Sequence, residues 1–324
     1  MRFRRSIAIL AVLLAGSAGC LSAQSPTPGP RAHHALVYDE AGRRVLLTSG
    51  STPVNGGQSF VFYNDLWAFD GTRWTLLAES GEPVSGVRLA PDTARGRILS
   101  FGGYNGRSMG QLRALKGTEW QVLGTLAELP VAEPGFAFDQ RRGRFVAFGG
   151  SSGPGQASGD IWEYDGIAWH RGPTGPAPRH SAAMAWDEKR GRMVLFGGAG
   201  QGPRGQAPPQ LGDTWEYDGS TWIARTEPGP PARIAPGMAY DSRRGLMILF
   251  GGIGASGFLG DTWSWDGSRW SKLADSGPEP RAMGYLAYDK ARDRIVLFGG
   301  RKGWPDDLAD TWEWDGSNWR RISP

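Results

Sequence analysis

Six times along the chain an apolar run ends in a pair of small residues, and a hairpin carrying Trp follows. The run endings are Leu47-Thr48-Ser49-Gly50, Ser100-Phe101-Gly102-Gly103, Ala147-Phe148-Gly149-Gly150, Leu195-Phe196-Gly197-Gly198, Leu249-Phe250-Gly251-Gly252 and Leu297-Phe298-Gly299-Gly300. One copy of about fifty residues with four strand-like segments cannot bury its own apolar faces, so neighbouring copies must stack to complete the core. The repeat predicts an all-β, six-bladed β-propeller of four-stranded antiparallel blades. Blades fall at about residues 31–79, 80–126, 127–174, 175–227, 228–276 and 277–324. The length of 324 residues would otherwise suit two domains; a shared ring of blades overrides that prior.

The fourth copy shows the strand logic. Ala182-Ala183-Met184-Ala185-Trp186-Asp187 reads as a first strand, and Glu188-Lys189-Arg190-Gly191 turns the chain. Arg192-Met193-Val194-Leu195-Phe196 is a short apolar run suited to a strand buried on both faces. Asp213-Thr214-Trp215-Glu216-Tyr217 alternates as a half-buried strand does, and Thr221-Trp222-Ile223 begins the fourth strand. Asp218-Gly219 between them predicts a type I′ hairpin turn, in which both central residues need positive φ. The hairpin recurs at Asp70-Gly71, Asp165-Gly166, Asp266-Gly267 and Asp315-Gly316. The second copy is degenerate: it has Lys116-Gly117, and Leu112 stands where its sisters carry Trp67, Trp162, Trp215, Trp263 and Trp312. Those indoles read as core between neighbouring sheets.

The chain resembles the kelch repeat: Pro-Arg before the first strand, Gly-Gly after the second, an aromatic in the third and Trp in the fourth. The resemblance covers nearly everything after Arg31 and implies a propeller of the kelch and galactose oxidase-like superfamily. Sialidase Asp-boxes place one residue between Asp and Gly, whereas here the two are adjacent.

The N-terminus reads as an export signal over residues 1–20. Met1-Arg2-Phe3-Arg4-Arg5 is basic, and Ser6 to Ala18 is apolar but short for a bilayer span. Ser17-Ala18-Gly19-Cys20 resembles a bacterial lipobox with Ser in place of the usual aliphatic residue. Lipidation of Cys20 would anchor a lipoprotein in the periplasm or outer membrane. Ordinary cleavage near Ala23, giving a secreted protein, and an uncleaved anchor are the alternatives. Leu21 after the cysteine favours outer-membrane sorting by resemblance. Residues 21–30 form a Pro-rich tether. Cys20 is the sole cysteine, which excludes an internal disulfide and a thiolate metal site. It also removes the Cys–Tyr cross-link that a galactose oxidase-type copper centre needs. The formal charge of +4 is spread over the copies without a basic stripe, so no nucleic-acid partner is expected.

The glycines also act as rulers. Successive copies are 47 to 54 residues apart, while the segment between the second glycine and the third strand varies from 7 to 14. Nearly all length variation therefore sits in one loop per blade. In an up-and-down sheet that loop shares its end with the blade-to-blade connection, and a rigid scaffold with variable loops at one end is where binding resides. In peptide-binding kelch domains the residues just after Pro-Arg and just after Gly-Gly line such a pocket. By position the first set is Ala32 and His33, Ser85 and Gly86, Ala132 and Glu133, His180 and Ser181, Ile234 and Ala235, Ala282 and Met283. The second begins at Ser51, Tyr104, Ser151, Ala199, Ile253 and Arg301. The polar members, His33, Tyr104, Asn105, Glu133, His180 and Arg301, are the candidate ligand-binding residues. Arg31, Arg179, Arg233 and Arg281 recur and are expected to bond loop carbonyls, with ligand contact second.

Two functions compete. The first is an exported or surface-anchored binding module for a protein, peptide or glycan, monomeric, without metal or cofactor, and touching a membrane only through an N-terminal lipid. The second is a sugar mutarotase or epimerase of the sialate mutarotase type, in which Glu133 with His33 or His180 supplies an acid–base pair. The enzyme reading demands that Glu133 and a histidine converge; the binding reading demands a broad polar and aromatic rim. The ring need not share a blade between its ends, although Gln24–Pro30 or Arg320–Pro324 could latch the seam.

Overall fold

A computed structural model describes residues 27–126, 132–153, 156–203 and 205–323. The signal segment, Cys20, Ala23 and residues 21–26 of the tether lie outside the described residues. The chain forms a six-bladed β-propeller. Blade 1 is built from Ala35–Asp39, Arg44–Thr48, Asp65–Phe69 and Trp74–Glu79, and blade 2 from Ser85–Asp92, Arg97–Tyr104, Gln111–Lys116 and Glu119–Thr125. Blade 3 comprises Gly135–Asp139, Arg144–Phe148, Ile161–Tyr164 and Trp169–Arg171; blade 4, Ala183–Asp187, Arg192–Gly200, Gln210–Tyr217 and Trp222–Arg225. Blade 5 uses Gly237–Asp241, Leu246–Phe250, Thr262–Trp265 and Trp270–Ala274; blade 6, Tyr285–Asp289, Arg294–Gly303, Asp306–Trp314 and Trp319–Ser323. Every strand pairs antiparallel with its sequence neighbour within the blade.

The first strands of successive blades pack side by side around an axis, and that of blade 6 packs against that of blade 1. The second strands are almost wholly buried, as their unbroken apolar runs require. Side chains from adjoining sheets make a core at each of the six blade interfaces; between blades 2 and 3 it holds Phe101, Phe136, Phe138 and Phe145. Fourth-strand indoles tie blades together: Trp74, Trp270 and Trp319 donate to Thr311, Thr214 and Thr262 of the preceding blade at 2.9, 2.9 and 2.8 Å.

Each blade is complete from consecutive strands, and the seam closes with the bonds used at other junctions. Arg31 donates its backbone N–H to Leu308 (3.1 Å) and accepts from Gly300 (2.9 Å). Arg233 and Arg281 do the same, with Leu211 and Gly198 and with Leu259 and Gly252. The side chains of the recurrent arginines bond carbonyls as expected, and they also carry an ion pair. Arg31, Arg179, Arg233 and Arg281 grip Asp65, Asp213, Asp261 and Asp310 with two nitrogens each. The same aspartates accept the indole N–H of Trp67, Trp215, Trp263 and Trp312 at 2.7–2.8 Å. One clamp thus fixes the connection, the Gly-Gly turn and the third strand of a blade.

Two expectations are corrected. In blade 2, Leu112 pairs with Phe101 as Leu66 pairs with Thr48, so Arg113, not Leu112, occupies the Trp position. Its guanidinium bonds Gln111, which replaces the clamp aspartate. The Asp-Gly hairpins are not two-residue type I′ turns. Phe69 pairs with Trp74 across a four-residue loop in which only Gly71 has positive φ (102°). The Asp70 carboxylate accepts two backbone N–H groups, from Thr72 (2.8 Å) and Arg73 (3.0 Å), so a side chain closes the turn.

Candidate functional site

Where each blade begins, the chain leaves a short bridge to the segment after Gly-Gly and bends into its first strand. Ala32 pairs with Ser51, Ser85 with Tyr104, Ala132 with Ser151, His180 with Ala199, Ile234 with Ile253 and Ala282 with Arg301. The next residue makes the bend. His33, Gly86, Glu133, Ser181, Ala235 and Met283 all have φ between 52° and 71°. Backbone bonds join neighbours in this ring: Gly86 N–H to His33 (2.7 Å), Ser181 to Glu133 (3.0 Å), Ala235 to Ser181 (2.8 Å) and Met283 to Ala235 (3.0 Å). A left-handed conformation costs a non-glycine residue about 1–2 kcal/mol. Ala235 and Met283 bear it as well as the polar residues, so the bend belongs to the frame. The chemistry lies in the side chains it carries.

Three of those side chains converge. Nδ1 of His33 meets Oε1 of Glu133, two blades away; Gly86 stands between them, and a Cβ there would lie 3.7 Å from Glu133 Cγ. Ser181 Oγ donates to Glu133 Oε2. That hydroxyl then accepts from Nδ1 of His180 at 2.8 Å, and His180 Nδ1 lies 3.8 Å from Glu133 Oε2. Burial pushes the Glu133 carboxyl up. The adjoining His33, the nearby His180 and the Arg88 charge outweigh it, holding the group well below the carboxylate range. Glu133 is therefore a carboxylate at neutral pH.

His33, Gly86 and Glu133 floor one side of a cavity of about 220 Å³ lined also by Ser51, Phe60, Phe62, Tyr104 and Arg301. Phe60 and Phe62 come from a small hairpin, Ser51–Val54 paired with Ser59–Phe62, in one of the longest variable loops. Phe60 is 43% exposed, Tyr104 42% and Trp304 57%, although these are large apolar surfaces. Ring centroids lie 5.7 Å apart for Trp304–Phe60, 6.4 Å for Phe60–Phe62 and 6.5 Å for Phe62–Tyr104. An aromatic band thus runs over blades 6, 1 and 2. Arg301 is buried beneath it, paired with Asp307 at 2.7 and 3.1 Å and 4.9 Å from the Trp304 ring centroid.

Of the residues chosen from the sequence, His33 meets Glu133 directly, and Tyr104 and Arg301 join them at the same cavity; His180 reaches Glu133 through Ser181 and does not line that cavity. Asn105 lies apart, its amide bonded to Glu82 at 2.6 Å. Ser181, Phe60, Phe62 and Trp304 were not singled out. Ser181 follows His180 in the ring position that Glu133 fills; Phe60 and Phe62 alternate within a loop of 14 residues. Among the described residues no group of three His, Cys, Asp or Glu side chains is arranged to hold a metal ion. No family model and no curated protein matches the chain.

Proposed function

We propose that the protein is an exported binding module of kelch type that takes a glycan at its variable-loop face. The observation that carries this reading is the band of exposed rings beside a charged floor. The negative face of an aromatic ring attracts the C–H face of a sugar ring, and it does so with little side-chain entropy to lose. Glu133 and His33 offer an acceptor and a donor for hydroxyls at the edge of that band. A cavity of about 220 Å³ is smaller than the roughly 300–1,000 Å³ of drug-sized ligand sites, which suits one ring of a longer chain better than a peptide segment. The test is an array of bacterial and host glycans probed with residues 31–324 and with Tyr104→Ala. Selective binding that the variant loses is expected. An array on which the wild-type protein binds nothing contradicts the glycan reading.

A second reading has its own support in the Glu133–His33 contact. An ionised carboxylate touching an imidazole is an acid–base pair, and ring opening of a sugar hemiacetal needs one proton removed and one delivered. Anomer exchange of free sugars followed by NMR separates the two readings. A rate above background that disappears in Glu133→Gln favours catalysis, and background rates for both favour binding alone.

A further inference from the structure

Behind the ring, inside the channel, lies a second cavity of about 90 Å³ whose wall includes His34, Arg88, Pro134, Ala182 and Tyr285. Counting from the ring residue, Arg88 and Tyr285 share a rank with Ala35, Gly135, Ala183 and Gly237. Four blades present small residues at that level, and two present a cation and a phenol. Arg88 of blade 2 reaches the Tyr285 ring of blade 6, with its guanidinium carbon 4.5 Å from the centroid. His34 stands edge-on to the same ring at 5.7 Å.

The polar groups here lack the partners that the frame supplies elsewhere. Among the described residues, the buried Arg31, Arg179, Arg233, Arg281 and Arg301 each hold an aspartate. The half-buried Arg88 bonds the carbonyls of Pro134 (3.2 Å) and Val87 (3.4 Å) and has no carboxylate within ion-pair distance among the described residues. The Tyr285 hydroxyl and both ring nitrogens of the fully buried His34 have no hydrogen-bond partner among the described residues. Buried polar groups such as the His34 ring nitrogens and the Tyr285 hydroxyl are ordinarily paired.

We infer that Arg88, Tyr285 and His34 form a binding site for a small, singly charged anion in the channel. Arg88 supplies the charge, and the Tyr285 hydroxyl and a His34 N–H supply neutral donors. Glu133, already occupied by His33 and Ser181, adds a nearby negative charge that disfavours a dianion. The cavity has room for about three water-sized groups, enough for a halide with water or for a carboxylate. The inference does not depend on the glycan reading, since the site is built from different side chains.

The test uses sodium bromide, sodium chloride and sodium formate, with gluconate to hold ionic strength constant. Crystals grown in bromide should show anomalous density between Arg88 and the Tyr285 hydroxyl. The unfolding midpoint of the wild type should rise with the logarithm of halide concentration, as binding to the folded state requires. The rise should vanish in Arg88→Met and shrink in Tyr285→Phe. A rise with formate alone assigns the site to carboxylates. A channel without bromide density, together with the same salt response in wild type and Tyr285→Phe, means that water alone satisfies these groups and overturns the proposal. The bromide map and the Tyr285→Phe comparison decide the matter if Arg88→Met does not fold.

Discussion

In blade 5, Arg233 holds Asp261, and Asp261 holds the Trp263 indole. In blade 2 the same three positions are Val84, Gln111 and Arg113. Blade 5 thus obeys the repeat and contributes Ala235 to the ring, with no polar group. Blade 2 breaks it and contributes Gly86, Arg88 and Tyr104, which bear on both cavities. The repeat specifies a frame through buried, paired charge. Blade 2, which departs from it, places side chains at both cavities, whereas blades 1, 4 and 6 keep the clamp and carry their cavity residues outside it.

The largest effect should come from breaking the clamp. Arg233→Ala leaves the largely buried Asp261 carboxylate without its cation, with only the Trp263 indole N–H still donating to it, which should cost about 3–5 kcal/mol. Arg113→Ala removes two hydrogen bonds to a neutral amide and a long, half-exposed ion pair with Glu82, and should cost roughly 1–2 kcal/mol. Equilibrium denaturation of both variants checks the contrast; equal losses would break it.

Acid should separate the two regions next. Burial, helped by the nearby Arg31, His33 and Arg88 charges, holds the His34 imidazole well below its ordinary value. His34 is therefore neutral in the folded protein, while the unfolded chain takes up a proton below about pH 6.5. Stability should fall as pH drops through that value, by up to about 1.4 kcal/mol per pH unit. In His34→Phe, unfolding measured between pH 7.5 and 5.5 should be flatter. The clamp aspartates behave differently. Against burial, Arg179, Arg233 and Arg281 hold Asp213, Asp261 and Asp310 below the usual range. Their contribution is complete above the unfolded carboxylate value of about 3.9 and is lost progressively as the pH falls from there through the lowered folded value.

A smaller effect is expected at the ring. Gly86→Ala places a side chain at a φ of 71° with only an ordinary contact to Glu133 Cγ. The backbone strain should cost about 1 kcal/mol. A much larger loss would mean that the His33–Glu133 contact cannot tolerate the added methyl.

The fold was legible because copies of the same pattern report on each other: Gly-Gly, Asp-Gly and the Trp positions recur at matching ranks. The convergence of His33, Glu133 and His180 was reachable by placing each copy on the same end of the ring. Arg88 and Tyr285 were hidden because each sits inside a strand read only for its apolar pattern. Aligning the six first strands by rank would have exposed them against Ala35, Gly135, Ala183 and Gly237. Phe60, Phe62 and Trp304 lie in loops whose lengths differ between copies, so no sister position announces them. The Leu112 assignment failed for the same kind of reason, since a one-residue slip in a degenerate copy carries no internal warning.

The most direct test places the binding surface itself. The strongest glycan from the array is titrated calorimetrically into the wild type, Tyr104→Ala and Ile167→Ala. Ile167 is 90% exposed in the Asp165-Gly166 hairpin, at the opposite end of blade 3 from the variable loops. An affinity at least about tenfold weaker for Tyr104→Ala, corresponding to about 1.4 kcal/mol, with Ile167→Ala unchanged, is the predicted result. Equal affinity for wild type and Tyr104→Ala, or a loss confined to Ile167→Ala, would contradict a site on the variable-loop face.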